Sequence, residues 1–259
     1  AMSDTRTTVK LADAEATARL GADLAAAARP GDAFALSGDL GAGKTTLARG
    51  FIRALAGDPE LEVPSPTFTL AQVYETRIPV AHFDLYRLAD GAELDELGFQ
   101  DAVEAGIALV EWPERAGDRM PADAIHVVLT HKGDGRCAAI SGPEAAMKRI
   151  ARSLRIRAFL AEGGLAGARR RYLLGDASTR AYETVSAEGR PPLILMNAPR
   201  QPDGPPIRDG LPYSRIARLA ESVVPFVAVD SLLRDAGFAA PQIHASDLDV
   251  GFLLIENLG

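Results

Sequence analysis

Apolar positions recur at helical spacing over residues 13–28, an alanine-rich stretch closed by Pro30-Gly31, and predict a helix there. The pattern then contracts to the run Ala33-Phe34-Ala35-Leu36, which reads as a strand. A glycine-rich segment separates it from Thr46-Leu47-Ala48-Arg49-Gly50-Phe51-Ile52-Arg53-Ala54-Leu55, where the spacing is helical again. Residues 67–74 and 80–85 read as strands joined by a turn. Ile107-Ala108-Leu109-Val110 is a continuous apolar run ending in Glu111, the pattern of a strand buried in a parallel sheet. Alternating runs near 124–130 and 136–141 predict two more strands, and a helix after Pro143 leads away from them.

The pattern changes near residue 160, where Glu162-Gly163-Gly164 ends that helix. Strand-like runs follow at 181–186 and 193–197, then a Pro/Gly/Asp-rich loop over 199–212. Helical patterns at 214–221 and 226–236 precede strands near 242–245 and 252–256. No repeat interrupts this order. Two units are expected, an α/β unit over 2–155 and a smaller α+β unit over 156–259, with Ala1 set aside as a cloning remnant before Met2.

Charge sharpens the division. The net charge of −7 is distributed as −8 over residues 1–150 and +1 over the rest, and all four lysines lie in the first part. An acidic first unit argues against gripping nucleic acid by broad phosphate neutralisation. No apolar run approaches the roughly 20 residues of a membrane span, and the polar start lacks a signal-peptide core. A cytoplasmic setting is the expectation. The single Cys137 excludes an intramolecular disulfide and a cysteine cage for zinc, and reads as a small core hydrophobe.

Chemistry concentrates in Gly38-Asp39-Leu40-Gly41-Ala42-Gly43-Lys44-Thr45, set between a strand and a helix. Glycines let consecutive backbone N–H groups converge on phosphate oxygens, and the helix adds its positive end. This P-loop predicts ATP and Mg²⁺, with Lys44 reaching the β- and γ-phosphates and the Thr45 hydroxyl on the metal. A second hard oxygen must come from elsewhere. Two carboxylates end apolar runs: Asp84 after 78–83 and Glu111 after 107–110. Both would project at the C-terminal edge of a doubly wound sheet, beside the P-loop. The competing reading of each is a mere exposed acid at a strand end.

The P-loop through Thr46-Leu47, then Ser65-Pro66-Thr67-Phe68, His82-Phe83-Asp84-Leu85-Tyr86-Arg87 and Glu111-Trp112-Pro113-Glu114, occur in that order. Together they resemble the TsaE (YjeE) family, the ATPase component of bacterial tRNA threonylcarbamoyladenosine synthesis, over about residues 10–145. The resemblance implies a P-loop NTPase three-layer α/β sandwich. It implies nucleotide contacts from Gly38, Asp39, Leu40, Gly41, Ala42, Gly43, Lys44, Thr45, Thr46 and Trp112. Lys44, Asp84 and Glu111 would be the catalytic side chains, Thr45 and Glu111 would bind Mg²⁺, and residues 65–68 would form a switch-like loop. It also implies TsaD and TsaB as partner subunits, with tRNA met only through that complex. No glutamine or arginine is placed with certainty over a γ-phosphate. Arg87 is the best internal candidate, although a surface salt bridge suits it better. Such a site would hydrolyse ATP slowly alone and faster in a complex, since a missing arginine finger costs roughly 10³–10⁵ in rate.

In the second unit, Gly175-Asp176-Ala177-Ser178-Thr179-Arg180-Ala181-Tyr182, Leu193-Ile194-Leu195-Met196-Asn197-Ala198-Pro199 and the ending Gly251 to Gly259 resemble the N-terminal lobe of aminoglycoside-phosphotransferase-like sugar kinases. The departures are plain. Leu195-Met196-Asn197 stands where the nucleotide lysine belongs, and no catalytic loop follows. The unit is then either a piece of a longer kinase or a nonenzymatic appendage. An N-lobe alone should leave apolar surface bare along 251–258, so that this strand packs on another copy or on the first unit, a route to self-association. The run Arg169-Arg170-Arg171 reads as a solvated face rather than an RNA contact. Two alternatives to a tRNA-modification ATPase stay open: a bifunctional small-molecule kinase, and a module whose partner binding is switched by ATP.

Overall fold

Continuous apolar runs occupy the centre of the first sheet, and alternating ones lie toward its edges. The computed structural model describes residues 5–173, 180–199, 206–208, 211–212 and 222–259. The chain divides into two units, Ala1–Arg157 and Ala158–Gly259. In the first, the elements run β1 (Thr5–Leu11), α1 (Ala14–Ala27), β2 (Ala33–Ser37), α2 (Lys44–Ala56), β3 (Ala71–Tyr74) and β4 (Val80–Asp84). They continue with α3 (Gly91–Glu96), α4 (Phe99–Ala105), β5 (Ile107–Glu111), β6 (Ile125–Lys132), β7 (Gly135–Gly142) and α5 (Glu144–Glu162), which crosses the boundary. The seven strands stand in the order β1-β7-β6-β2-β5-β4-β3. Strands β6, β2, β5 and β4 are mutually parallel, and β1, β7 and β3 are added antiparallel.

Helices α1 and α2 and the first part of α5 cover one face over Phe34, Leu36, Leu109 and Val127. Phe34 meets Phe51 edge to face at 5.1 Å. The other face carries α3 and α4 on Phe83, Ala108 and Val110, with Phe83 against Phe99. This is the expected α/β layering on a large mixed sheet. Three elements differ from the expectation. β1 is a polar-rich edge strand with little apolar signal, and α3 and α4 are too short to display a helical period. Residues 67–70 form a turn rather than part of β3: Leu70 is left-handed (φ 63°), and its N–H donates to the Pro66 carbonyl at 2.7 Å. Cys137 on β7 is half-buried rather than a core residue.

The second unit runs β8 (Arg169–Leu173), β9 (Ala181–Ser186), β10 (Leu193–Asn197), β11 (Pro206–Arg208), β12 (Leu211–Pro212), α6 (Val224–Asp235), β13 (Ile243–Asp247) and β14 (Phe252–Glu256). Five strands form an antiparallel sheet ordered β13-β14-β10-β9-β8, and β11 pairs with β12. Much of the Gly175–Tyr182 motif, the helical pattern at 214–221 and parts of the loop at 199–212 lie outside the described residues. The expectation that 251–258 leaves a bare edge is overturned. β14 is bonded on one side to β10 and on the other to β13, and Phe252, Leu253, Leu254 and Ile255 are buried. Its apolar run is that of a central strand, satisfied within its own unit. The arginine run divides: Arg170 is buried in an ion pair with Glu183 at 2.6 Å, while Arg169 and Arg171 are exposed.

Helix α2 must be held close beneath the sheet edge to present the P-loop, and its crossing with α1 is set by two glycines. A Cβ on Gly21 would stand 2.1 Å from the Leu47 carbonyl oxygen, and one on Gly50 would stand 2.1 Å from that of Ala18. Backbone cannot yield as a flexible side chain does. Gly21→Ala is therefore expected to destabilise the first unit by about 1–3 kcal/mol. Urea unfolding followed by fluorescence of Trp112, the only tryptophan, measures this; an unchanged midpoint would refute the crossing argument.

Candidate functional site

The loop between β2 and α2 departs from ordinary backbone at three glycines. Gly38, Gly41 and Gly43 take φ of 144°, 77° and 106°, values that side chains resist. At Gly38 a Cβ would also sit 2.5 Å from the Leu129 carbonyl oxygen. Gly43 is the N-cap of α2 and offers no side-chain cap, so the first N–H groups of the helix remain available to an anion. The tip, Asp39 to Gly41, is exposed, with Leu40 at 76% of its full accessibility.

Lys44 folds back under this loop. Its Nζ donates to the carbonyls of Gly38 at 2.6 Å and Asp39 at 2.9 Å, and lies 3.8 Å from the centre of the Trp112 ring. Burial holds its pKa below the ordinary lysine value, and Glu111, Glu114, Asp84 and Asp39 oppose that shift. Trp112 is half-buried, left-handed at φ 60°, and inclined against Tyr86 with centroids 5.0 Å apart.

Both carboxylates arrive at the same edge because β4 and β5 are parallel and in register, with Asp84 opposite Glu111 and Glu111 opposite Leu36 of β2. They are buried, at 4% and 2% exposure, so neither is a solvated acid at a strand end. Glu111 Oε2 accepts from the Thr45 hydroxyl at 2.9 Å. Its Oε1 lies 2.8 Å from His82 Nε2. Asp84 has a different task. Its Oδ2 accepts from Ser65 Oγ at 2.5 Å and Thr67 Oγ1 at 3.1 Å, and its Oδ1 from the Tyr86 N–H at 3.1 Å. It thus clasps the 65–67 segment to the sheet edge.

Lys44, Thr45, Glu111 and Trp112 come together as one cluster, and Asp84 stands beside Glu111 through the strand register. Arg87 does not enter it. Its guanidinium lies 4.6 Å over the exposed Phe68 ring. Arg136 of β7, which sequence reasoning passed over, donates to the Gly41 carbonyl at 3.2 Å. His82 also went unassigned, although its place two residues before Asp84 puts both on one side of β4. A polar residue inside an otherwise apolar strand was the available signal.

The donor set is of the hard-oxygen kind. Thr45 Oγ1 and Glu111 Oε2 are within one hydrogen bond of each other, and Mg²⁺ is typically held by one or two such groups while phosphates and waters complete its octahedron. These residues fit a metal that arrives with a polyphosphate.

The family described as threonylcarbamoyl adenosine biosynthesis protein TsaE matches residues 11–138. The chain is 39% identical over 129 residues to the Bacillus subtilis tRNA threonylcarbamoyladenosine biosynthesis protein TsaE, covering 49% of this chain and 77% of that one. The protein of the same name from Nostoc sp. is 41% identical over 139 residues, covering 51% and 83%. That from Rickettsia felis is 43% identical over 101 residues, covering 39% of this chain but only 58% of its own length. The crystal structure of Bacillus subtilis YdiB superposes with a TM-score of 0.52 at 27% identity, over 61% of this chain and 99% of that one.

Lys44 supplies a test through its protonation. Phosphates beside Nζ favour its charged form, so a bound triphosphate raises a pKa that burial has lowered. Between the free and bound values, binding takes up a proton; at lower pH, where Lys44 is charged in both states, it does not. Calorimetry of ATP binding at alkaline pH, in two buffers of different ionisation enthalpy, should register uptake that Lys44→Arg abolishes. Proton release, or no buffer dependence, would contradict the assignment.

Proposed function

The chain belongs, through residues 11–138, to the family of threonylcarbamoyl adenosine biosynthesis protein TsaE, and we propose from this that its first unit is a Mg²⁺-dependent ATPase serving threonylcarbamoyl modification of tRNA. The observation that carries the reading is the Lys44–Thr45–Glu111 cluster under a glycine loop at the C-terminal edge of parallel strands. Open helix N–H groups and the loop amides would hold the phosphates. Lys44 would exchange its two loop carbonyls for β- and γ-phosphate oxygens. Thr45 and Glu111 would hold Mg²⁺, which supplies charge neutralisation across the phosphates. Asp84 would tie the state of the 65–68 segment to the sheet edge, so that a change at the γ-phosphate moves the loop bearing Phe68.

Two features favour dependence on partners, for which the family resemblance implies TsaD and TsaB. Arg87 stacks on Phe68 and Arg136 gives one guanidinium N–H to the Gly41 carbonyl, so neither is placed as an arginine finger by its present contacts. The exposed Phe68, Leu40 and Tyr86 rim the same edge and offer a surface for a subunit to complete it. No described helix is long and apolar enough to cross a membrane.

For the second unit we propose the N-lobe-like fold suggested by its sequence. An antiparallel sheet with α6 carried between β10 and β13 supports it. Asn197 at the end of β10, in a unit without lysine, argues for a noncatalytic or incomplete kinase lobe.

ATP hydrolysis by the purified chain, alone and with TsaD and TsaB, is the test. Weak turnover that rises with the partners, vanishes in Lys44→Ala and falls at least about 10²-fold in Glu111→Ala is expected. Vigorous turnover indifferent to partners would overturn the reading. A Glu111→Ala variant that keeps full turnover would favour a nucleotide-switched interaction module instead.

A further inference from the structure

His82 is fully buried in the middle of β4, and its ring is bonded to Glu111 through Nε2. Its Nδ1 has no protein partner among the described residues. Burying a polar ring inside an otherwise apolar strand costs free energy that the bond to Glu111 has to offset. An apolar residue would fill the same place between β3 and β5 without that cost. The arrangement is accounted for by the bond that is made.

The chemistry of that bond fixes its direction. A carboxylate offers only acceptors, so Nε2 carries the hydrogen and donates to Oε1. Oε1 is thereby committed, and Oε2 faces the Thr45 hydroxyl at 2.9 Å. The carboxylate plane is defined by two bonds from opposite ends, one from β4 and one from the start of α2. Without His82, Glu111 would be free to rotate and to turn an oxygen toward the nearby buried ammonium of Lys44. Thr45 would then lose its companion oxygen.

Resting on the Mg²⁺–ATP reading of the site, we infer that His82 is a positioning residue that holds the Glu111 carboxylate in the orientation that receives Mg²⁺ with Thr45. It touches neither nucleotide nor metal. Its effect belongs to the metal and not to the phosphate loop, because the loop glycines and Lys44 make no bond to it. Groups that orient metal ligands typically govern metal affinity or activity by about 10–100-fold.

The test compares the full chain with His82→Leu, His82→Gln and His82→Asn. Gln carries an amide donor at about the reach of Nε2, while Asn falls short of Glu111. Mg²⁺ is titrated at fixed ATP, with Trp112 fluorescence as the binding signal, and ATP affinity is measured separately in EDTA. His82→Leu and His82→Asn are expected to need about 10–100-fold more Mg²⁺, with ATP affinity in EDTA unchanged and His82→Gln close to wild type. A wild-type Mg²⁺ requirement in the Leu or Asn variant would overturn the inference. So would a loss in EDTA as large as that in Mg²⁺, which marks a merely structural histidine. If the Leu variant does not fold, the Asn and Gln pair decides alone, and equal behaviour of the two rejects the role. A wild-type chain whose ATP response ignores Mg²⁺ would instead overturn the underlying reading.

Discussion

A buried carboxylate at the end of a parallel strand sets the terms for the first unit. Glu111 is all but inaccessible, and an ionised carboxylate there is tolerable only if its oxygens are paired. The pairing requires β4 to bring His82 alongside and α2 to begin where Thr45 can reach Oε2. Helix α2 starts there only because Gly43 takes a left-handed turn after β2. Its depth depends in turn on Gly21 and Gly50, which let α1 and α2 cross without intervening side chains. Sheet register, loop conformation and helix packing thus converge on one side chain.

How far this was legible in the sequence varies with the kind of signal. The P-loop was readable because glycines report local backbone demands, and those demands do not depend on the rest of the fold. The placement of Asp84 and Glu111 together was readable from strand ends, given a parallel sheet. Their division of labour was not. Asp84 clasps Ser65 and Thr67, whereas Glu111 engages Thr45 and His82, and both pairings join residues distant in the chain. His82 escaped for the same reason. A histidine in an apolar strand has no meaning until the neighbouring strand is in register.

The second unit illustrates the opposite error. Phe252-Leu253-Leu254-Ile255 was expected to lie bare because the resemblance treated the unit as half of something larger. The run is in fact satisfied by β10 and β13 on its two sides, and Phe252 packs against Phe159 with ring centres 5.6 Å apart. Hydrophobicity predicts burial but not the partner. A completed five-stranded sheet meets the demand at lower entropic cost than an intermolecular contact.

The polar groups around the P-loop fall into two sets with different fates when a ligand enters. Lys44 holds two loop carbonyls and Thr45 holds Glu111, so each already has an internal partner that, on the proposed function, a phosphate or a metal would have to replace. Exchange of one hydrogen bond for another yields only about 0.5–1.5 kcal/mol net. Affinity would therefore have to come from what is not yet satisfied: the open N–H groups at the start of α2, and the charge of a desolvated Lys44. The contact of His82 with Glu111 would need no exchange at all. It would stay fixed while the first set is traded, and so keep the orientation of the carboxylate. A site built wholly from exchangeable contacts would lose its shape on release of the ligand; one built wholly from fixed contacts would have nothing to offer it.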